Sequence, residues 1–181
     1  MSNSTIVVYN SAYGSTEKYA QWIANNLQAD IKKSSDVAPR DLANYDTVVY
    51  GGSLHAVGIK GIKLITRNID MFSGKKLVVF SVGCSPANEE TIKSVEKHNF
   101  PGELGARVKH FYLHGAFDYS KLKFSDRIMM NMLRIMLKSK KETLTDGQKG
   151  LLALYETPDD WTDESTIKPL IAYLTGNTQA V

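Results

Sequence analysis

Three short segments carry residues whose types and spacing suit ligand chemistry. Ser11-Ala12-Tyr13-Gly14-Ser15-Thr16 joins an apolar run directly to a helix-period segment. Small and hydroxyl residues there let backbone N–H groups converge on a phosphate, and the helix amino terminus adds partial positive charge. No Lys or Arg lies inside it, which suits a terminal phosphate bound by dipoles and neutral hydrogen bonds. The plainer reading is that Ser15 or Thr16 caps a helix. Gly51-Gly52-Ser53-Leu54-His55-Ala56-Val57-Gly58 follows a second apolar run, and Ser81-Val82-Gly83-Cys84-Ser85-Pro86 follows a third. Paired glycines allow a backbone to approach a flat ligand closely. Taken singly, each segment also reads as an ordinary strand-to-helix turn.

Other chemistries find less in the sequence. A dinucleotide fingerprint requires G-x-G-x-x-G, and Gly14 stands alone. The Gly-Lys-Ser/Thr of a Walker loop is absent. A phosphoacceptor receiver needs carboxylates where Asn10, Ser11, Gly51 and Gly52 stand. His55, His98, His110, His114 and Cys84 show no zinc spacing, and no Ser-His-Asp signature is visible. His55 reads either as a ligand contact or as a solvent-facing loop histidine. Cys84 reads as an edge contact or, more commonly for a lone cysteine, a small buried side chain. Tyr13, Trp22, Phe117 and Tyr119 are aromatic candidates for stacking on a planar ring.

The elements that position these segments follow from the apolar pattern. Thr5–Tyr9, Thr47–Tyr50 and Lys76–Ser81 read as buried strands, with weaker ones at Ala29–Lys33 and Arg107–Leu113. Helical stretches are expected at Ser15–Leu27, Pro39–Ala43, Ile62–Phe72 and Glu164–Leu174. Another runs from a Ser85–Pro86 start to about His98. Strands alternating with helices predict right-handed crossovers and a doubly wound α/β fold, a five-stranded parallel sheet in the order 2-1-3-4-5. Such sheets bind ligands at the carboxyl ends of their strands. A chain of 181 residues with 43% hydrophobic and 23% charged residues suits one domain, and no apolar stretch is long enough to span a membrane. The opening Met1-Ser2-Asn3-Ser4 shows no signal-peptide pattern, and the lone Cys84 excludes an internal disulfide. Cytoplasmic residence, with no nucleic-acid partner, is the expectation.

Together these residues resemble the flavodoxin superfamily. The segment 11–16 is similar to its phosphate signature, Thr/Ser-x-Thr-Gly-x-Thr, with Tyr13 in place of the central threonine. The resemblance implies a flavodoxin-like sheet that holds flavin mononucleotide (FMN). Its phosphate would sit on Ser11, Ala12, Tyr13, Gly14, Ser15 and Thr16. Its ring would lie between Gly52, Ser53, Leu54, His55 and Ala56 on one side and Val82, Gly83, Cys84 and Ser85 on the other. His114-Gly115-Ala116-Phe117-Asp118-Tyr119, followed by Phe124-Ser125-Asp126-Arg127 and an apolar helix, resembles the quinone-dependent protoporphyrinogen oxidase branch. That implies a porphyrinogen substrate and a quinone acceptor. A flavodoxin-like electron carrier with a redox-protein partner is the alternative.

An insert of about residues 118–146 distinguishes this chain from plain flavodoxins. Residues 121–141 hold seven basic residues against Asp126, a local net charge of +6 in a chain of +3. Arg127, Asn131, Arg134 and Lys138 share one helical stripe. Ile128, Met129, Met132, Leu133, Met136 and Leu137 form the opposite one. Two readings stay open: peripheral contact of residues 121–141 with the inner face of a membrane, or packing on the protein's own domain.

Overall fold

The structure is a computed structural model that describes residues 4–139, 150 and 152–176. By contact the chain divides into two compact units, residues 1–115 with 162–181, and residues 116–161. In the first unit the chain runs β1 (Thr5–Asn10), α1 (Ser15–Leu27), β2 (Asp30–Lys33), β3 (Thr47–His55) and β4 (Gly58–Ile59). It continues through α2 (Lys63–Thr66), β5 (Lys76–Gly83), α3 (Glu89–Asn99), α4 (Leu104–Arg107) and β6 (Lys109–His114), and ends in a helix at Lys168–Thr175.

The five long strands pair in parallel in the spatial order β2-β1-β3-β5-β6. Counted without the hairpin arm β4, this is the expected doubly wound order. Burial on both faces explains why the central strands are nearly continuous in apolar residues. Ile6, Val8, Val48, Tyr50 and Val79 face Ile65, Val95 and Phe100 on one side. Val7, Val49, Val78 and Phe80 face Tyr19, Ile23 and Leu170 on the other.

Several boundaries differ from the sequence reading, each for a local reason. Gly51 and Gly52 lie inside β3, not in a loop, because β3 keeps pairing with β1 and β5 through them. A Cβ at Gly51 would stand 2.0 Å from Phe80 Cζ, and one at Gly52 2.4 Å from Ile59 Cγ2. Core packing demands these glycines. Val82 and Gly83 are likewise buried strand residues of β5. The next helix begins at Glu89, after an Asn88 cap whose side chain accepts from Thr91 N at 2.8 Å, so Ser85 and Pro86 stay in the loop. The helix expected over Ile62–Phe72 breaks after Thr66 into a 3-10 turn at Ile69–Phe72. Asn68 sits at the break with its side-chain amide donating to Leu64 O, in competition with the backbone. Arg107 belongs to α4 instead of the last strand, its guanidinium donating to Asp70 and to Ile69 O at 2.8 Å each.

The second unit holds an antiparallel pair, β7 (Ala116–Phe117) with β8 (Asp159–Asp160), and the amphipathic helix α5 (Phe124–Ser139). Lys140 and Lys141 of the basic segment, and the insert from 140 to 146, lie outside the described residues. Among the described residues no helix is long and apolar enough to cross a membrane.

Candidate functional site

The strongest site feature is the turn between β1 and α1. Helix α1 starts at Ser15 with Gly14 in the cap position, and no side chain caps it. Gly14 has φ 102° and ψ −34°, a backbone region that side chains strongly disfavour. A Cβ there would meet no atom within 4 Å, so the loop is open above Gly14. Ser11 Oγ accepts from Gly14 N at 3.0 Å and folds the loop back on itself. An uncapped helix amino terminus beside an open, glycine-turned loop fits a phosphate. Glu17 in the first turn would oppose that charge, but it accepts from Tyr9 OH at 2.6 Å. Burial of Tyr9 and this contact push its phenol up to about 12. Lys18 turns to Thr162 and the Trp22 ring, which agrees with a site built on dipoles.

Thr16 departs from the expected arrangement. Its side chain is fully buried, and its hydroxyl lies 2.7 Å from Ser53 Oγ, which also accepts from Ala12 N at 3.0 Å. Ser53 thus joins the 11–16 loop to β3, and Thr16 is engaged with Ser53.

Two further segments border the same carboxyl edge of the sheet. The β3–β4 hairpin pairs Leu54 with Ile59 and His55 with Gly58. His55, Ala56 and Val57 at its tip are exposed, and Ala56 has a positive φ of 52°. Asn99, buried at the end of α3, holds this tip. Its side-chain amide donates to Val57 O at 2.7 Å and accepts from Ile59 N at 2.9 Å. The loop after β5 exposes Cys84 and Ser85. Side chains of β6 fasten it: Tyr112 OH donates to Ser85 O at 2.7 Å, and His114 Nε2 lies 3.3 Å from Cys84 O. Gly83 is fixed by this packing, since a Cβ there would stand 2.3 Å from Tyr112 OH. Gly115 N donates to Gly83 O at 2.7 Å, bringing the end of β6 beside the loop. Packing around the Cys84 sulfur pushes its thiol above the ordinary value.

The aromatic candidates separate clearly. Tyr13 is exposed on the 11–16 loop, where a ring could be met. Trp22 instead packs edge-on against Tyr19 at 5.3 Å. Tyr119 and Phe117 pack on Tyr155 inside the second unit, with Tyr119 OH donating to Asn131. Ser81, His110 and Glu96 form a hydrogen-bonded line of 2.9 and 3.2 Å that sequence spacing did not reveal. Ser81 is completely buried, so no substrate reaches it and the line is structural. Burial pushes His110 below its ordinary value, with Glu96 opposing.

A family profile described as a flavodoxin domain matches residues 6–144. The chain belongs to the flavodoxin domain family. This flavodoxin-domain protein is similar to several solved structures. They include the Trp repressor binding protein from Bacillus subtilis, at 17% identity and TM-score 0.45, covering 62% of this chain and 83% of that one. They also include the two-electron reduced Megasphaera elsdenii flavodoxin, at 18% identity and TM-score 0.43, covering 60% and 84%. A flavodoxin from the domain Archaea has 18% identity and TM-score 0.42, covering 62% and 85%. A comparison with curated proteins returns no match. In this flavodoxin domain Asn99 and Tyr112 were not singled out in the sequence, and His114 and Gly115 were named only as part of segment 114–119, not as supports of the loop after β5. For Tyr112 and His114 a signal existed: with His110 they alternate along β6, which places all three on one sheet face.

Proposed function

We propose that this protein binds FMN at the carboxyl edge of its sheet and moves electrons. The observation that carries this is the uncapped start of α1 beneath the open Gly14 turn, flanked by the 54–59 hairpin and the 84–88 loop. Backbone N–H groups at the start of α1 and the Ser11 and Ser15 hydroxyls would hold the phosphate. The hairpin tip and the Cys84–Ser85 turn would enclose the ring. Bound FMN would supply reversible electron uptake and release, while the protein sets its orientation and potential.

The finer reading is an oxidoreductase that takes hydrogens from a porphyrinogen and delivers electrons to a quinone, with α5 as its contact to a membrane. Support for it lies in the resemblance of segments 114–119 and 124–127 and in the apolar surface of α5. Phe124, Ile128, Met132, Ile135 and Met136 are all exposed. The electron carrier remains the second reading, supported by the same candidate FMN site. Anaerobic mixing distinguishes the two. The oxidoreductase bleaches its flavin absorbance with a porphyrinogen and regains it on adding a quinone. A carrier is reduced by a protein reductase or dithionite and is indifferent to porphyrinogen.

A further inference from the structure

We propose that Asn99 is a positioning residue for the flavin ring, acting through the β3–β4 hairpin. The proposal rests on the FMN reading above. The hairpin tip is exposed and carries a non-glycine residue, Ala56, at φ 52°, so its conformation is not one the local sequence favours. Besides the hairpin's own strand pairing, a buried amide holds it. Asn99 accepts from Ile59 N, while its amide nitrogen donates to Val57 O and to Val95 O of its own helix, at 2.7 to 2.9 Å. Both functions of the amide are used: its oxygen accepts one bond and its NH2 group donates to two carbonyls. The tip's backbone is therefore set in part from α3, an element outside the three candidate loops. Asn99 is only 7% exposed, so it touches no ligand and acts through the hairpin alone. A ring enclosed by the tip meets a preformed backbone, which lowers the ordering cost of binding.

The discriminating variant is Asn99→Asp, which keeps the shape and the acceptor but loses the donor when ionised. The carboxylate would face Val57 O, whereas its protonated form could donate again. Titratable groups nearby are His55 at the tip, His98 and Glu96 on α3, and His110 on β6, and the parent protein carries all of them as its own control. At about pH 8 the variant should bind FMN and riboflavin about ten-fold more weakly, by the same factor, because the phosphate loop is untouched. The midpoint potential of the bound flavin should shift too. At about pH 5 both affinities should move back towards those of the parent, which itself should show no such recovery. Asn99→Ala supplies the second variant: it should show the same loss without the pH dependence. Unchanged flavin affinity and potential in a folded Asn99→Asp protein would overturn the proposal, as would failure of both variants to fold, which leaves Asn99 a purely structural part. If the parent protein itself binds neither flavin, the FMN reading fails instead, whatever Asn99 does.

Discussion

Changing Phe124, Met132 and Ile135 together to serine is expected to abolish binding to anionic lipid vesicles and leave the melting temperature near that of the parent. These side chains are 81%, 67% and 69% exposed, so removing them deletes little packing. Surface changes of this kind usually alter stability by less than about 0.5 kcal/mol. Buried in a bilayer interface, each would contribute roughly 1.5 kcal/mol or more, so losing three weakens partitioning by about a thousand-fold or more. Leu133 and Leu137 are left intact because they are half-buried and buried. The basic residues are less available than the helical stripe implied. Arg127 donates to Ser120 O at 2.8 Å and lies over the Tyr119 ring, and Arg134 lies over Tyr155 and near Glu156. On the membrane reading their charge would attract anionic headgroups, so binding by the parent should fall as salt rises. Vesicle co-sedimentation and thermal melting check both halves. Normal vesicle binding by the triple variant removes α5 as the contact, and a large drop in melting temperature shows that the stripe packs within the protein.

Gly14→Ala should weaken FMN by about ten-fold or more and leave riboflavin nearly unchanged. The reason is the backbone: φ 102° with ψ −34° costs a side chain roughly 1–3 kcal/mol although the space above it is open. A loop that relaxes to avoid this strain no longer presents its N–H groups to a phosphate, and riboflavin has none to lose. Thr16→Val is the contrasting change. It removes the contact between Thr16 and Ser53 inside the fold, costing about 1–2 kcal/mol of stability, and should leave the ratio of FMN to riboflavin affinity unaltered. Flavin fluorescence titrations and melting curves read both. Equal weakening of the two flavins in Gly14→Ala would move the phosphate away from this loop.

The parts of the fold that local pattern decides were legible. β1, β3 and β5 stand out because burial on both faces keeps them apolar along their length, and the turn at Gly14 follows from its hydroxyl-rich setting. What was not legible depends on partners far along the chain. Gly51 and Gly52 look like a loop until Phe80 and Ile59 are seen to fill the space their side chains would take. Asn99 looks like any polar residue at a helix end, and nothing near it names Val57 and Ile59 as its partners. Thr16 matched a phosphate signature, yet Ser53, 37 residues away, meets its hydroxyl. In α5 the apolar residues extend around more than one stripe, so periodicity could not separate buried Leu137 from exposed Phe124 and Ile135.

The claim that this flavodoxin domain is built for FMN is tested most directly by identifying the flavin the protein holds. Purified protein, reconstituted with a mixture of FMN, FAD and riboflavin and then washed, should release FMN on denaturation. The basis is one phosphate-sized loop, 11–16, with a lone glycine and no dinucleotide fingerprint. Chromatography of the released flavin decides it. FMN at about one equivalent per chain is the expected result; FAD in its place, or no bound flavin at all, contradicts the account.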